Sequence, residues 1–142
     1  MGGGGVLCYN QIVVYELTVE QVFSAAHELA GYAGPCARLH GHNFKVAVTV
    51  TGVQLDDLGM LTDFGQVRSL LSGVLDRLDH SHLNALPEFA HRNPTSEHLA
   101  QLIYAHMREI LAATAGLADR VRVSRVSVHE SDRAAATYFE AD

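Results

Sequence analysis

The sequence predicts an α+β domain of order ββααββ, with two helices covering one face of an antiparallel sheet. Three observations lead there. Two long segments, 12–27 and 40–51, alternate apolar and polar residues with a period of two, the mark of half-buried strands. Two later segments carry apolar residues at helical spacing. The chain then returns to a period of two over 121–130 and 134–140. Helices and strands that are each apolar on one side stack most simply as one sheet with helices on one face.

In the first segment Val13, Tyr15, Leu17, Val19, Phe23 and Ala25 fall on one face, and Glu16, Thr18, Glu20 and Ser24 on the other; His27 has the apolar parity. Glu28 to Leu39 reads as a loop, punctuated by Gly31, Gly34 and Pro35. In the second strand His40, His42, Phe44, Val46, Val48 and Val50 share a face, opposite Asn43, Lys45, Thr49 and Thr51. A polar loop from Gly52 to Met60 leads to a helix from about Asp63 to Leu78. Its stripe is Phe64, Val67, Leu71, Val74, Leu75 and Leu78, with Thr62 or Asp63 as cap. Asp79 to Asn84 breaks the pattern, which ends near Pro87. Asn93-Pro94-Thr95-Ser96-Glu97 then starts a second helix, with an acid in its first turn. That helix carries Leu99, Leu102, Ile103, Ile110 and Leu111 and stops near Gly116. Val121–Glu130 and Ala134–Glu140 close the fold as a hairpin, with Ser131-Asp132-Arg133 at or near its turn. Four strands leave two open edges, and pairing them with further copies of the protein is a physical reason to expect a homo-oligomer.

Composition narrows the functional classes. A chain of 142 residues holds one domain; residues 1–10 read as a flexible Gly-rich leader and 11–142 as the domain. No apolar run approaches the roughly 18 residues of a membrane span. The first residues carry no basic region or signal-type apolar core. The two cysteines are Cys8, in the leader, and Cys36, so no structural disulfide is expected and a cytoplasmic location is. A formal net charge of −6 argues against a general nucleic-acid surface but leaves room for a local basic pocket for a phosphorylated small molecule. Nine histidines are the compositional oddity.

Three of those histidines have metal-ligand placement. His40 and His42, at i and i+2 on a strand, project the same way, and an antiparallel neighbour carrying His27 can supply a third imidazole. Three neutral imidazoles suit Zn²⁺, leave a fourth position open, and fit Mg²⁺ poorly. Cys36 lies in the loop four residues before His40. A nearby cation favours a thiolate, so Cys36 is a candidate base, nucleophile or fourth ligand, with base preferred. Asp79-His80 at a helix end is a weaker pair, since sequence neighbours rarely bond through their side groups. Glu130 ends a strand on the parity of Val126 and Val128, where a carboxylate is costly without a partner; an N–H-rich, guanidine-like edge would suit it.

These residues, taken in order, resemble the family of 6-pyruvoyl-tetrahydropterin and 6-carboxytetrahydropterin synthases. The resemblance runs from about Tyr15 to Glu140 and rests on Phe23-Ser24-Ala25-Ala26-His27, Cys36-x-x-x-His40-Gly41-His42-Asn43, Met60-x-x-Asp63-Phe64, Leu78-Asp79-His80-x-x-Leu83-Asn84, Asn93-Pro94-Thr95-Ser96-Glu97 and Val128-His129-Glu130-Ser131. It implies the tunnelling fold, a ββααββ unit whose sheets join into a trimeric barrel, with trimers commonly stacked as hexamers and active sites at subunit interfaces. It implies zinc on His27, His40 and His42, Cys36 as proton acceptor, His80 with Asp79 as an acid/base relay, and Glu130 on the pterin or in that relay. Thr95 and Glu97 match the family's pterin-side motif. The implied substrate is 7,8-dihydroneopterin triphosphate. The three-residue gap between Cys36 and His40 is similar to the bacterial carboxypterin branch, which feeds 7-deazaguanine and queuosine synthesis. The alternatives are a pyruvoyl synthase, which leaves the substrate's side arm uncleaved, a zinc-stabilised binding module without chemistry, and a zinc hydrolase. Arg38, Lys45 and Arg133 are phosphate contacts by position only.

Overall fold

Alternation is realised most fully in the first hairpin of the computed structural model, which describes residues 12–141. Strands β1 (Tyr15–His27) and β2 (His40–Gly52) pair antiparallel along their whole length, from Tyr15 opposite Gly52 to His27 opposite His40. Val19, Phe23, Ala25 and His27 are buried on one face of β1, and Phe44, Val46, Val48 and Val50 on the matching face of β2. Burying each large apolar group among them contributes about 1.5–3 kcal/mol relative to exposure, an upper estimate. The strand starts at Tyr15 and not at Ile12 because β2 ends opposite Tyr15; Ile12, Val13 and Val14 have no partner in the ladder and stay exposed. The leader expected over 1–10, and Cys8 within it, lie outside the described residues.

Helix α1 (Phe64–Leu75) begins where the Asp63 carboxylate accepts from the N–H groups of Gly65 and Gln66. Its inner face is Val67, Leu71, Val74 and Leu75. Phe64, expected in that stripe, is 52% exposed, because a ring on the first helical residue leans back past the helix start, beyond the sheet it would pack on. Leu78, expected inside the helix, is buried from a turn beyond it, its N–H bonded to the Leu75 carbonyl at 2.9 Å.

Strand β3 (Ser81–His82) follows, and then helix α2 (Ser96–Ala113), capped by Thr95, whose hydroxyl accepts from the His98 N–H. Leu99, Ala100, Ile103, Met107 and Leu111 of α2 complete the core against β4 (Arg122–Ser131), while Leu102 and Ile110 pack partly buried at its flank. β5 (Ala134–Tyr138) closes the terminal hairpin, leaving Asp132 and Arg133 as its turn.

The sheet has five strands in the order β3-β1-β2-β4-β5, one more than expected. The addition is β3, two polar residues parallel to β1 at Ala25 and Ala26. A strand of two residues has no alternation to read. Pairing of β4 with β5 slips between His129 and Ser131, so Glu130 stands in a bulge. Among the described residues no helix is long and apolar enough to cross a membrane.

Candidate active site

The hairpin register places His27 directly opposite His40, with His42 two pairs further along, opposite Ala25. The three rings stand at the open end of the buried face, backed by Phe44, whose ring meets those of His27 and His42 edge-on at 5.5 and 5.2 Å. One ligating atom from each histidine lies within 4.8 Å of the others. His27 is 1% exposed.

The hydrogen bonds set the chemistry of this cluster. His27 Nδ1 lies 2.7 Å from the Pro94 carbonyl oxygen, and His40 Nδ1 lies 2.6 Å from that of Arg38. A carbonyl only accepts, so both Nδ1 atoms carry the proton, and in the neutral form of each ring Nε2 presents a lone pair. Those two Nε2 atoms stand 3.0 Å apart. His42 Nε2 is buried with no hydrogen-bond partner. Two lone pairs at that distance, beside an orphaned ring nitrogen, form a group that could hold a shared cation. Two imidazole nitrogens on one tetrahedral zinc stand about 3.3–3.4 Å apart, close to the observed spacing, and all-nitrogen donors suit that ion. Burial lowers the His42 pKa from its ordinary 6.5, His27 and His40 lower it further, and Glu130 opposes them. The net direction keeps His42 neutral, the ligating form.

Cys36 lies outside this cluster. It is half-buried in a 3₁₀ turn, Pro35–Ala37, and its carbonyl accepts from the Leu29 N–H at 2.9 Å. Glu130 lies beside the histidines: its Oε1 is 4.0 Å from His27 Nε2, and its carboxylate arm is 32% exposed. The bulge re-aims this residue toward the histidines.

Asp79 and His80 meet although adjacency alone gave no reason to expect it: His80 Nδ1 lies 2.9 Å from Asp79 Oδ2. His80 adopts a left-handed backbone, φ 56°. Asp79 Oδ1 also accepts from the Ser24 N–H at 2.9 Å. That bond first, and His80 second, hold the Asp79 carboxyl below its ordinary 3.8. The His80 ring is 82% exposed. An open hollow of about 580 Å³ is lined by His42 and His80, with Ser24, Gly41, Asn43 and His82.

The remaining residues divide. Thr95 is occupied as the α2 cap, and Glu97 is exposed in the first turn of that helix. Arg38 reaches the centre through its carbonyl. Lys45 lies opposite Val22 and His129, on the face away from the helices. Arg133 lies in the β4–β5 turn, close in sequence to Glu130. The groups that orient the metal-facing rings, the carbonyls of Pro94 and Arg38, escape sequence reasoning, because no residue type announces a main-chain partner.

Comparison with known proteins agrees with this geometry. Residues 16–141 match the family model described as 6-pyruvoyl tetrahydropterin synthase. The protein is 36% identical over 102 residues to the 6-carboxy-5,6,7,8-tetrahydropterin synthase of Bacillus subtilis, covering 68% of each of the two. It is 36% identical over 122 residues to the protein of that name from Synechocystis, covering 82% of its own length and 87% of the relative. The Caenorhabditis elegans 6-pyruvoyl tetrahydropterin synthase structure superposes with a TM-score of 0.77 at 23% identity, covering 92% of the present protein and 98% of that one.

Proposed function

This protein belongs to the 6-pyruvoyl tetrahydropterin synthase family, and from that premise we propose that it is a zinc-dependent lyase acting on 7,8-dihydroneopterin triphosphate. The products are 6-carboxy-5,6,7,8-tetrahydropterin, acetaldehyde and triphosphate, on the route to 7-deazaguanines such as queuosine. The observation that carries the reading is the pair of Nε2 lone pairs 3.0 Å apart beside the unpartnered His42 nitrogen. The carboxypterin branch draws support from the names of the Bacillus and Synechocystis relatives.

His27, His40 and His42 would hold the zinc. When bound there, it supplies Lewis acidity toward the hydroxyls of the substrate's side arm. Cys36, as thiolate, removes a proton from that arm. Asp79 holds the Nδ1 proton of His80, which leaves Nε2 free to return protons, a task suited to an imidazole near neutral pH. Glu130 accepts from the N–H edge of the pterin, with Thr95 and Glu97 on the pterin side. Loss of a proton and of triphosphate from the substrate's side arm completes the elimination, and cleavage of a carbon–carbon bond in the same arm with uptake of one water releases acetaldehyde. No external oxidant or reductant enters this balance. The protein acts as a cytoplasmic homo-oligomer, trimer or hexamer, in which barrel closure brings the exposed His80 to a neighbouring subunit.

The test is product identification by mass spectrometry after zinc-loaded protein meets 7,8-dihydroneopterin triphosphate. A carboxylated tetrahydropterin with acetaldehyde is expected. A pyruvoyl tetrahydropterin without acetaldehyde overturns the branch, and unchanged substrate overturns the enzyme. Cys36→Ala is expected to keep its zinc and lose about 10²–10⁴-fold in turnover, the contribution of general acid–base catalysis; wild-type turnover would remove Cys36 from the mechanism.

A further inference from the structure

The strand β1 does not stop at His27 in hydrogen-bonding terms. Alternate residues of an extended segment present their main-chain groups to opposite edges. On the outer edge, Ser24 is bonded by the Asp79 carboxylate and the His80 N–H, the latter at 2.6 Å. Ala25 and Ala26 then pair with β3. At Glu28 the partner is a carboxamide: the Glu28 N–H donates to Asn84 Oδ1 at 2.9 Å, and Asn84 Nδ2 donates to the Glu28 carbonyl at 2.8 Å. Ala30 repeats the arrangement with Asn93, at 2.9 Å in both directions. A carboxamide carries one acceptor and paired donors on one planar group, so it can stand in for a peptide unit of a neighbouring strand. On the inner edge the Leu29 N–H, between these two clamped residues, donates to the carbonyl of Cys36.

We propose that Asn84 and Asn93 are positioning residues for the reaction: their amides act as a surrogate edge strand that holds 28–30 fixed beyond the end of β1, and through Leu29 they set where Cys36 stands relative to the three histidines. This rests on the role given to Cys36 under the proposed function. The two clamps come from segments that also serve the site. Asn84 follows the Asp79-His80 pair, and Asn93 precedes Pro94, whose carbonyl orients His27. One continuous edge therefore ties the relay, the metal-facing ring and the cysteine loop into a single register. Reacting groups misplaced by about 1 Å lose roughly 100-fold in rate, so a loosened edge is expected in kcat and not in substrate binding.

The test uses Asn84→Ala and Asn93→Ala in the zinc-loaded full-length protein. Three readings are taken: zinc per protein, triphosphate release, and the rate at which iodoacetamide alkylates the Cys36 peptide by mass spectrometry. The expected result is wild-type zinc, a kcat lower by roughly 10–100-fold with little change in KM, and Cys36 alkylation altered severalfold. Asn84→Asp, which keeps the acceptor and loses the donor, is expected to fall between wild type and Asn84→Ala. Cys36 alkylation at the wild-type rate in both alanine variants overturns the proposal, as does altered alkylation with unchanged kcat when Cys36→Ala is inactive. Should the variants not fold, hydrogen exchange on the wild type decides: the Glu28, Leu29 and Ala30 amides must exchange as slowly as those of β1, and fast exchange there overturns it. A Cys36→Ala protein with full turnover removes the cysteine's catalytic role, and the clamps are then still judged by alkylation and exchange.

Discussion

The β1/β2 hairpin and the segment 79–95 build two halves of one site by opposite means. The hairpin is periodic. Once its apolar face is buried, register follows, and His27, His40 and His42 converge because a one-residue slip would turn every core residue outward. The segment has no period. Its functional groups are held one at a time by polar side groups bonded to the backbone: Asp79 on Ser24, Asn84 on Glu28, Asn93 on Ala30. Its anchors in the core are Leu83 and Phe89. Burial thus places the three imidazoles proposed to hold the metal, and individually satisfied polar groups place His80, the proposed proton carrier.

Metal content and turnover should separate the two halves most sharply. His80→Ala in the segment is expected to keep its zinc and lose about 10²–10⁴-fold in turnover, whereas His40→Ala in the hairpin loses the metal itself. Metal analysis beside an activity assay reads both, and zinc loss from His80→Ala would merge the two halves. Next in size are the anchors. Phe44→Ala should cost about 3–5 kcal/mol and Leu83→Ala about 2–5 kcal/mol in urea unfolding, since both are fully buried. The hairpin variant should also weaken zinc binding, because Phe44 backs two of the rings.

Smaller effects follow from single bonds. Thr95→Ala removes the α2 cap and should cost about 1 kcal/mol. It also loosens the Pro94 carbonyl that orients His27, and losing the partner that holds a ligating ring weakens metal affinity about 10–100-fold; an unchanged zinc affinity would detach the cap from the centre. The smallest effect is in pH. The folded-state pKa of Asp79 lies below 3.8, so its contribution to stability is full above pH 3.8 and is lost as pH falls through the lowered value. Asp79→Asn should therefore be less stable than wild type at neutral pH and converge with it at the acid end. Melting temperatures between about pH 6 and 2 check this, and a difference that stays constant across that range would assign the Asp79 contacts no stabilising role.

Sequence by itself determined the fold class, the two long strands, both helix starts and the three metal-facing histidines. Each of these is written in a period of two or 3.6, or in a capping residue such as Asp63 or Thr95, and such signals are local. The motifs also carried the membership of the family. Only the tertiary structure decided that β3 joins the sheet, that Phe64 is exposed, and that Asp79 and His80 bond through a left-handed turn. It also revealed that main-chain carbonyls of Pro94 and Arg38 aim the imidazoles and that two asparagines extend the edge of β1. These depend on which main-chain group a distant segment meets once the core has closed, and a main-chain group has no letter in the sequence.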